Sequence, residues 1–149
     1  MDLKKLIQEY YDEGKVMQLA TVRDGKPWIC TIYFTVDEDL NIYWTSAKKR
    51  RHSKEIMDDP NVAIAIVRDD KKKQALQITG KASIVPLEDT ERVNKLYGDK
   101  FGDKPERLAE VLENTPEGRA YWMCKPDEVA IWDEVNFTPP DAKEVFKVS

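Results

Sequence analysis

At 149 residues the chain has the length of one compact domain with its own core, and two separate catalytic domains are not expected. Its 24 Lys and Arg stand against 28 Asp and Glu, a net charge of −4, which argues against a protein built to coat nucleic acid. Apolar residues make up 41%, near the globular average, yet no run approaches the roughly 18 needed to cross a bilayer, so a soluble protein that avoids membranes is expected.

The opening residues mix charges among Leu3, Leu6, Ile7 and Tyr10. They lack the unbroken apolar segment of a secretory signal, which points to the cytoplasm. The apolar positions recur every three or four residues, the stripe of a short helix that stops near Gly14. Val16–Val22 and Trp28–Val36 read as two strands joined by the tight-turn dipeptide Asp24-Gly25. A polar turn at Asp37-Glu38-Asp39 leads to a third strand, Leu40–Thr45. The basic run Lys48–Lys54 then opens a helix that must end before Asp59-Pro60. Val62–Val67 reads as a fourth strand, buried because its apolar run is continuous.

Charged Arg68–Lys73 is a loop or hairpin end, and Ala75–Val85 is a long strand in which Gly80 signals a bulge or a close backbone approach. Leu87–Tyr97 carries Val93 and Leu96-Tyr97 at helical spacing, and Glu106–Leu112 places Leu108, Val111 and Leu112 on one face. Arg119–Cys124 and Glu128–Trp132 are the last strands, separated by Lys125-Pro126-Asp127, and Thr138-Pro139-Pro140 opens a polar tail ending in Val145-Phe146. The sum is a mostly β, α+β domain: a small antiparallel barrel with short flanking helices.

Two cysteines, Cys30 and Cys124, in apolar-rich stretches read as reduced, buried thiols. The single histidine, His52, lies in a basic run and leaves no multi-imidazole zinc site. Chemistry is therefore expected from a bound cofactor. The feature that stands out is Thr45-Ser46-Ala47-Lys48-Lys49-Arg50-Arg51-His52, two hydroxyls ending a strand before a cationic helix start. Uncapped N–H groups, the helix dipole and arginine forks make such a segment suited to an anion. Taken alone, it also reads as a solvated basic face, a nuclear-targeting segment or an RNA patch.

Its setting resembles the pyridoxamine 5′-phosphate oxidase-like, FMN-binding split-barrel family. The likeness rests on Trp44-Thr45, Arg50-Arg51-His52, Asp59-Pro60-Asn61-Val62, Ile78-Thr79-Gly80-Lys81-Ala82 and Pro126-Asp127-Glu128-Val129-Ala130-Ile131-Trp132, and it covers most of residues 16–137. The resemblance implies that Thr45 and Ser46 hydrogen-bond the FMN phosphate while Arg51, helped by Arg50, neutralises it. His52 falls where many relatives carry Lys, and a one-residue longer spacing from Thr45 to Pro60 leaves Lys49 and Arg50 as alternatives for one contact.

The resemblance further implies that Thr31, Ile32 and Tyr33 face the flavin ring, that Gln77, or alternatively Gln74, presents an amide to it, and that Trp132 reaches it from a neighbouring subunit in a homodimer. The residues after Trp132 hold no Arg-x-His element, so oxidation of vitamin B6 phosphate is not expected. The expected function is an FMN-dependent oxidoreductase acting on a small molecule, with reduced nicotinamide as a candidate reductant. The alternative is a protein on the same barrel that binds or senses flavin, deazaflavin or haem without turnover.

Overall fold

A computed structural model describes residues 1–137 and 143–148. Helix α1 (Leu3–Glu13) is capped by Asp2, whose carboxylate accepts from the Lys5 N–H at 3.1 Å, and buries Leu6, Ile7, Tyr10 and Tyr11. It stops at Gly14, where an added Cβ would meet the Phe34 ring at 2.9 Å. β1 (Val16–Arg23) and β2 (Lys26–Tyr33) form the expected hairpin, with Asp24 and Gly25 both at positive φ.

The expected second strand does not run on to Val36. It breaks at Phe34, because β2 pairs with β1 whereas β3 (Thr35–Val36) pairs with β4 (Ile42–Ala47). The third strand starts at Ile42, since Leu40 adopts φ 69° in a turn held by the Asp37 carboxylate, which accepts from the N–H groups of Asp39 and Asn41.

α2 (Arg51–Asp58), β5 (Asn61–Asp69) and β6 (Gln74–Ile84) follow, then a 3-10 turn, α3 (Thr90–Phe101) and α4 (Pro105–Glu113). The two last strands are one, β7 (Arg119–Asp133): Pro126 is accommodated because the register shifts there against Thr79 and Gly80. Gly80 meets the close approach its type implied, for a Cβ there would lie 2.5 Å from the Lys125 carbonyl oxygen. The tail contributes a further strand, β8 (Lys143–Lys147), paired with β7. Thr138, Pro139 and Pro140 lie outside the described residues.

The antiparallel order is β2-β1-β5-β6-β7-β4-β3. The two end strands are joined by Phe34 alone, so the sheet must roll until its edges meet, giving a split barrel. Its interior holds Met17, Leu19, Phe34, Trp44, Ile66, Leu76, Trp122 and Ile131, all fully buried. A second cluster, Tyr43, Val85, Val93, Tyr97, Val111 and Tyr121, seats α3 and α4 on the outside of β4 and β7. Cys124 is buried, Cys30 half-buried, and both are free thiols.

Two expectations about faces change. The continuous apolar run of β5 implies burial throughout, yet only Val62, Ile64 and Ile66 face the core; Val67 is 55% exposed on the other side. On α4 the residues turned inward are Arg107 and Val111, and Leu112 lies exposed.

Candidate functional site

Strand alternation decides where the two hydroxyls of the basic segment go. Ser46 points with Trp44 to the interior side of β4, and Thr45 to the side covered by α3 and α4. Ser46 Oγ and His52 Nε2 share a 2.8 Å hydrogen bond. Burial, with the Arg50 charge adding to it, holds the His52 imidazole below its ordinary value, so the ring is neutral at pH 7. His52 thus ties α2 to β4 and supplies no positive charge.

Arg51 lies across the Trp28 ring, 4.0 Å from its centroid, and its Nε donates to Glu55 at 2.8 Å. Glu55 is buried and also accepts from Thr21 at 2.9 Å. The Arg51 hydrogen bond keeps its carboxyl below the usual carboxylate range. The side chains of Lys49 and Arg50 are exposed and make no hydrogen bond or ion pair among the described residues. The free cations of the segment are therefore Lys49 and Arg50, while Arg51 is positioned by Trp28 and Glu55.

Thr45 opens onto a cleft of about 820 Å³ between the barrel seam and helices α3 and α4, shared with Ile32 and Tyr33. Across the seam the Tyr97 hydroxyl accepts from the Thr45 N–H and donates to the Tyr33 carbonyl, both at 3.1 Å. One side chain thereby bridges the two strands that the sheet leaves unpaired. Tyr33, Phe101 and Tyr97 give the cleft an aromatic wall, with centroids 5.6 and 5.5 Å apart in successive pairs.

Its rim is cationic: Lys15, Lys100, Lys104, Arg107 and Arg119 outnumber Glu106 and Glu110. Arg119 is engaged, its Nε donating to Glu110 at 2.6 Å and its Nη1 to Thr45 Oγ1 at 3.3 Å. Burial draws Lys100 down to about 8, and its ammonium donates to the Tyr11 carbonyl at 3.1 Å. Tyr97, Lys100, Arg107 and Arg119 were not among the expected site residues. The one available signal was Tyr97, a phenol on an apolar helix stripe that needs a partner for its hydroxyl.

The remaining expected residues gather on the outer face of the sheet. Register places Thr31, Gln18, Ala65, Gln77 and Ala130 in one row across β2, β1, β5, β6 and β7. Beside it run Ile29, Ala20, Ala63, Thr79 and Glu128 on one side, and Val67, Ala75 and Trp132 on the other. Thr31 and Gln77 are three strands, about 14 Å, apart. Gln74 is not available there, since its amide donates into the buried Asp133 carboxylate. Trp132 lies toward the other end of β7 from Tyr121, the strand partner of Thr45. No group of three or more His, Cys, Asp or Glu suited to a metal occurs among the described residues, and none of the helices there is long and apolar enough to cross a membrane.

The family model described as pyridoxamine 5′-phosphate oxidase matches residues 3–133. The chain belongs to the pyridoxamine 5′-phosphate oxidase-like family. Within reach of it is general stress protein 26 of Bacillus subtilis (strain 168), 32% identical over 123 residues, covering 78% of this chain and 85% of that protein. The crystal structure of general stress protein 26 from Bacillus anthracis str. Sterne superposes with a TM-score of 0.71 at 19% identity, over 99% of both chains. The heme storage protein HutZ from Vibrio cholerae gives 0.66 at 20% identity, over 99% of this chain and 95% of its own. The two structural likenesses carry the split-barrel fold; the family itself rests on the sequence match.

Proposed function

We propose that the protein is a homodimeric FMN-binding oxidoreductase of this family that acts on a small molecule, other than by oxidising vitamin B6 phosphate. The observation that supports it most is the convergence at the barrel seam. Ile32 and Tyr33 of β2 line one cleft with the open side of Thr45, and Arg51 at the start of α2 lies across Trp28 of the same strand.

Lys49 and Arg50, unpaired, would take the flavin phosphate, with Arg51 held ready over Trp28. The backbone of Thr31–Tyr33 would lie along the ring, and Thr45 would hydrogen-bond the phosphate from β4. When bound, FMN supplies two-electron redox chemistry, with reduced nicotinamide a candidate donor, and the protein contributes placement and electrostatics.

The dimer reading rests on the outer sheet face. Val16, Ile29, Tyr33 and Val67 are between 43% and 60% exposed there, among small Ala side chains, an apolar surface that a second copy would cover. A second copy on that face would also bring its own Gln77 and Trp132 toward a flavin that the first copy's Thr45 touches. Two free cysteines suit a reducing, cytoplasmic setting.

The haem alternative is less well supported. The only imidazole of the chain is buried and its Nε2 is held by Ser46, so it offers no axial ligand.

The test is to add FMN to the flavin-free protein and record the visible spectrum and the melting temperature. Bound-flavin bands and a concentration-dependent rise in melting are expected, a rise that at 100 times Kd corresponds to about 2.7 kcal/mol. Oxidation of reduced nicotinamide by the loaded protein separates an enzyme from a carrier. A Soret band with haem and no response to FMN is the opposite result.

A further inference from the structure

The inward face of α2 carries a charge where an apolar side chain would serve packing better. Its buried residues are His52, Ser53, Glu55 and Ile56, and Glu55 is only 3% exposed. A carboxylate taken out of water is costly unless it is paired and hydrogen-bonded, so its presence there needs a reason beyond packing.

Glu55 divides its two oxygens between neighbours. Oε1 accepts from the Thr21 hydroxyl of β1 at 2.9 Å, and Oε2 from Arg51 Nε at 2.8 Å. Arg23 braces the same helix from β1, donating through Nη2 to the Lys54 carbonyl at 3.1 Å and pairing with Asp58 at 2.6 Å. The carboxylate is thereby fixed against the sheet, and the guanidinium that it holds is fixed with it. Trp28 closes the other side, with Arg51 Cζ 4.0 Å from the centroid of its ring.

Helix stability does not account for the pair. Arg51 opens α2 and Glu55 follows four residues later, so the cation stands at the positive end of the helix dipole, the order that isolated helices favour less than its reverse. Only Nε of the fork is used. Nη1 and Nη2 make no hydrogen bond among the described residues, and the Arg51 side chain is 54% exposed.

We propose that Glu55, seated on Thr21, is a positioning residue: it holds the Arg51 guanidinium so that Nη1 and Nη2 stand free for a phosphate monoester, and so sets the preference for a phosphorylated ligand over its dephosphorylated form. The inference rests on the flavin reading above and deepens it, for the ligand is then FMN and its counterpart riboflavin. Fixing the fork beforehand spares the binding step the ordering of a long side chain, the route by which preorganisation raises affinity.

The test uses the full chain, titrated calorimetrically with FMN and riboflavin, and with inorganic phosphate while the Arg51 Nε–H resonance is followed by NMR. Glu55→Leu removes the acceptor and keeps a buried side chain of similar size. It should weaken FMN about tenfold or more, leave riboflavin within about twofold, and let the Arg51 Nε–H exchange as fast as that of an unpaired arginine. Glu55→Gln keeps an acceptor without the charge and should recover part of both the FMN affinity and the slow exchange. Arg51→Ala combined with Glu55→Leu should bind FMN as Arg51→Ala alone does, because Glu55 acts only through Arg51.

Unchanged FMN affinity in Glu55→Leu, equal losses of FMN and riboflavin, a further additive loss in the double variant, or an Nε–H that exchanges alike with and without Glu55 overturns the proposal and leaves the flavin reading intact. In a chain that ignores FMN, a phosphate-induced shift of the Arg51 Nε–H that disappears in Glu55→Leu supports the positioning role and removes the flavin reading alone. A chain in which neither FMN nor phosphate binds overturns both.

Discussion

Val67 offers a quantitative test of the proposed dimer. It projects from β5 onto the outer sheet face with 55% of its surface open, beside Ala75 and in the row of Trp132. Fully burying a side chain of this type is worth about 1.5–3 kcal/mol, so covering the open part contributes roughly 0.8–1.7 kcal/mol per protomer. A twofold interface counts each substitution twice, about 1.6–3.3 kcal/mol. Val67→Asp should therefore weaken dimerisation at least about 15- to 260-fold, before any repulsion between the two new carboxylates is added. Because Val67 points away from the core, the monomer should still fold, with a cost limited to strand preference, about 1 kcal/mol or less. Sedimentation equilibrium across a concentration series measures both proteins. A wild-type chain that stays monomeric at high concentration, or a variant that dimerises as tightly as the parent, refutes the reasoning.

The other predictions concern the seam and its cations. Arg50→Ala should weaken FMN about 10- to 140-fold, the equivalent of one charge-assisted hydrogen bond, and leave flavin-free stability within about 0.5 kcal/mol. Arg51→Ala should weaken FMN and also lower the melting temperature without FMN, because buried Glu55 keeps only Thr21, so melting curves of the two variants distinguish a free cation from a shared one. Tyr97→Phe removes the hydroxyl that joins the Thr45 N–H to the Tyr33 carbonyl and should cost about 1–3 kcal/mol by chemical denaturation, with faster exchange of the Thr45 amide. His52 has a folded value below its unfolded value of about 6.5, so the unfolded chain takes the proton first as pH falls. Its contribution to stability is complete above that value and is lost below it. Wild type should accordingly lose more melting temperature between pH 7.5 and 5.5 than His52→Gln does.

Much of the barrel could be read from local chemistry. Asp24-Gly25 permits two consecutive positive φ values, Gly14 ends a helix against an aromatic ring, and Gly80 admits a backbone, all properties of single residues and their neighbours. What escaped depends on partners far along the chain. Nothing local to Phe34 says that the residues before it pair with β1 and those after it with β4, and Pro126 reads as a break until Thr79 and Gly80 shift register opposite it. The continuous apolar run of β5 signals burial on two faces, whereas the fold covers one, and the difference motivates the proposed partner subunit.

The candidate site divides in the same manner. The basic segment was visible because Lys48 through His52 are contiguous, whereas Lys100, Arg107 and Arg119 lie on α3, α4 and β7 and resemble ordinary surface charges until tertiary packing gathers them. Ser46 and Thr45 are adjacent in sequence, but the pleat of β4 sends them to opposite faces, so only Thr45 opens onto the cleft.

Native mass spectrometry of the protein saturated with FMN tests the central proposition most directly. Two chains carrying two flavins, with both flavins lost together when Val67→Asp separates the chains, is the predicted result. A single chain retaining flavin, or a dimer carrying none at saturating FMN, contradicts it.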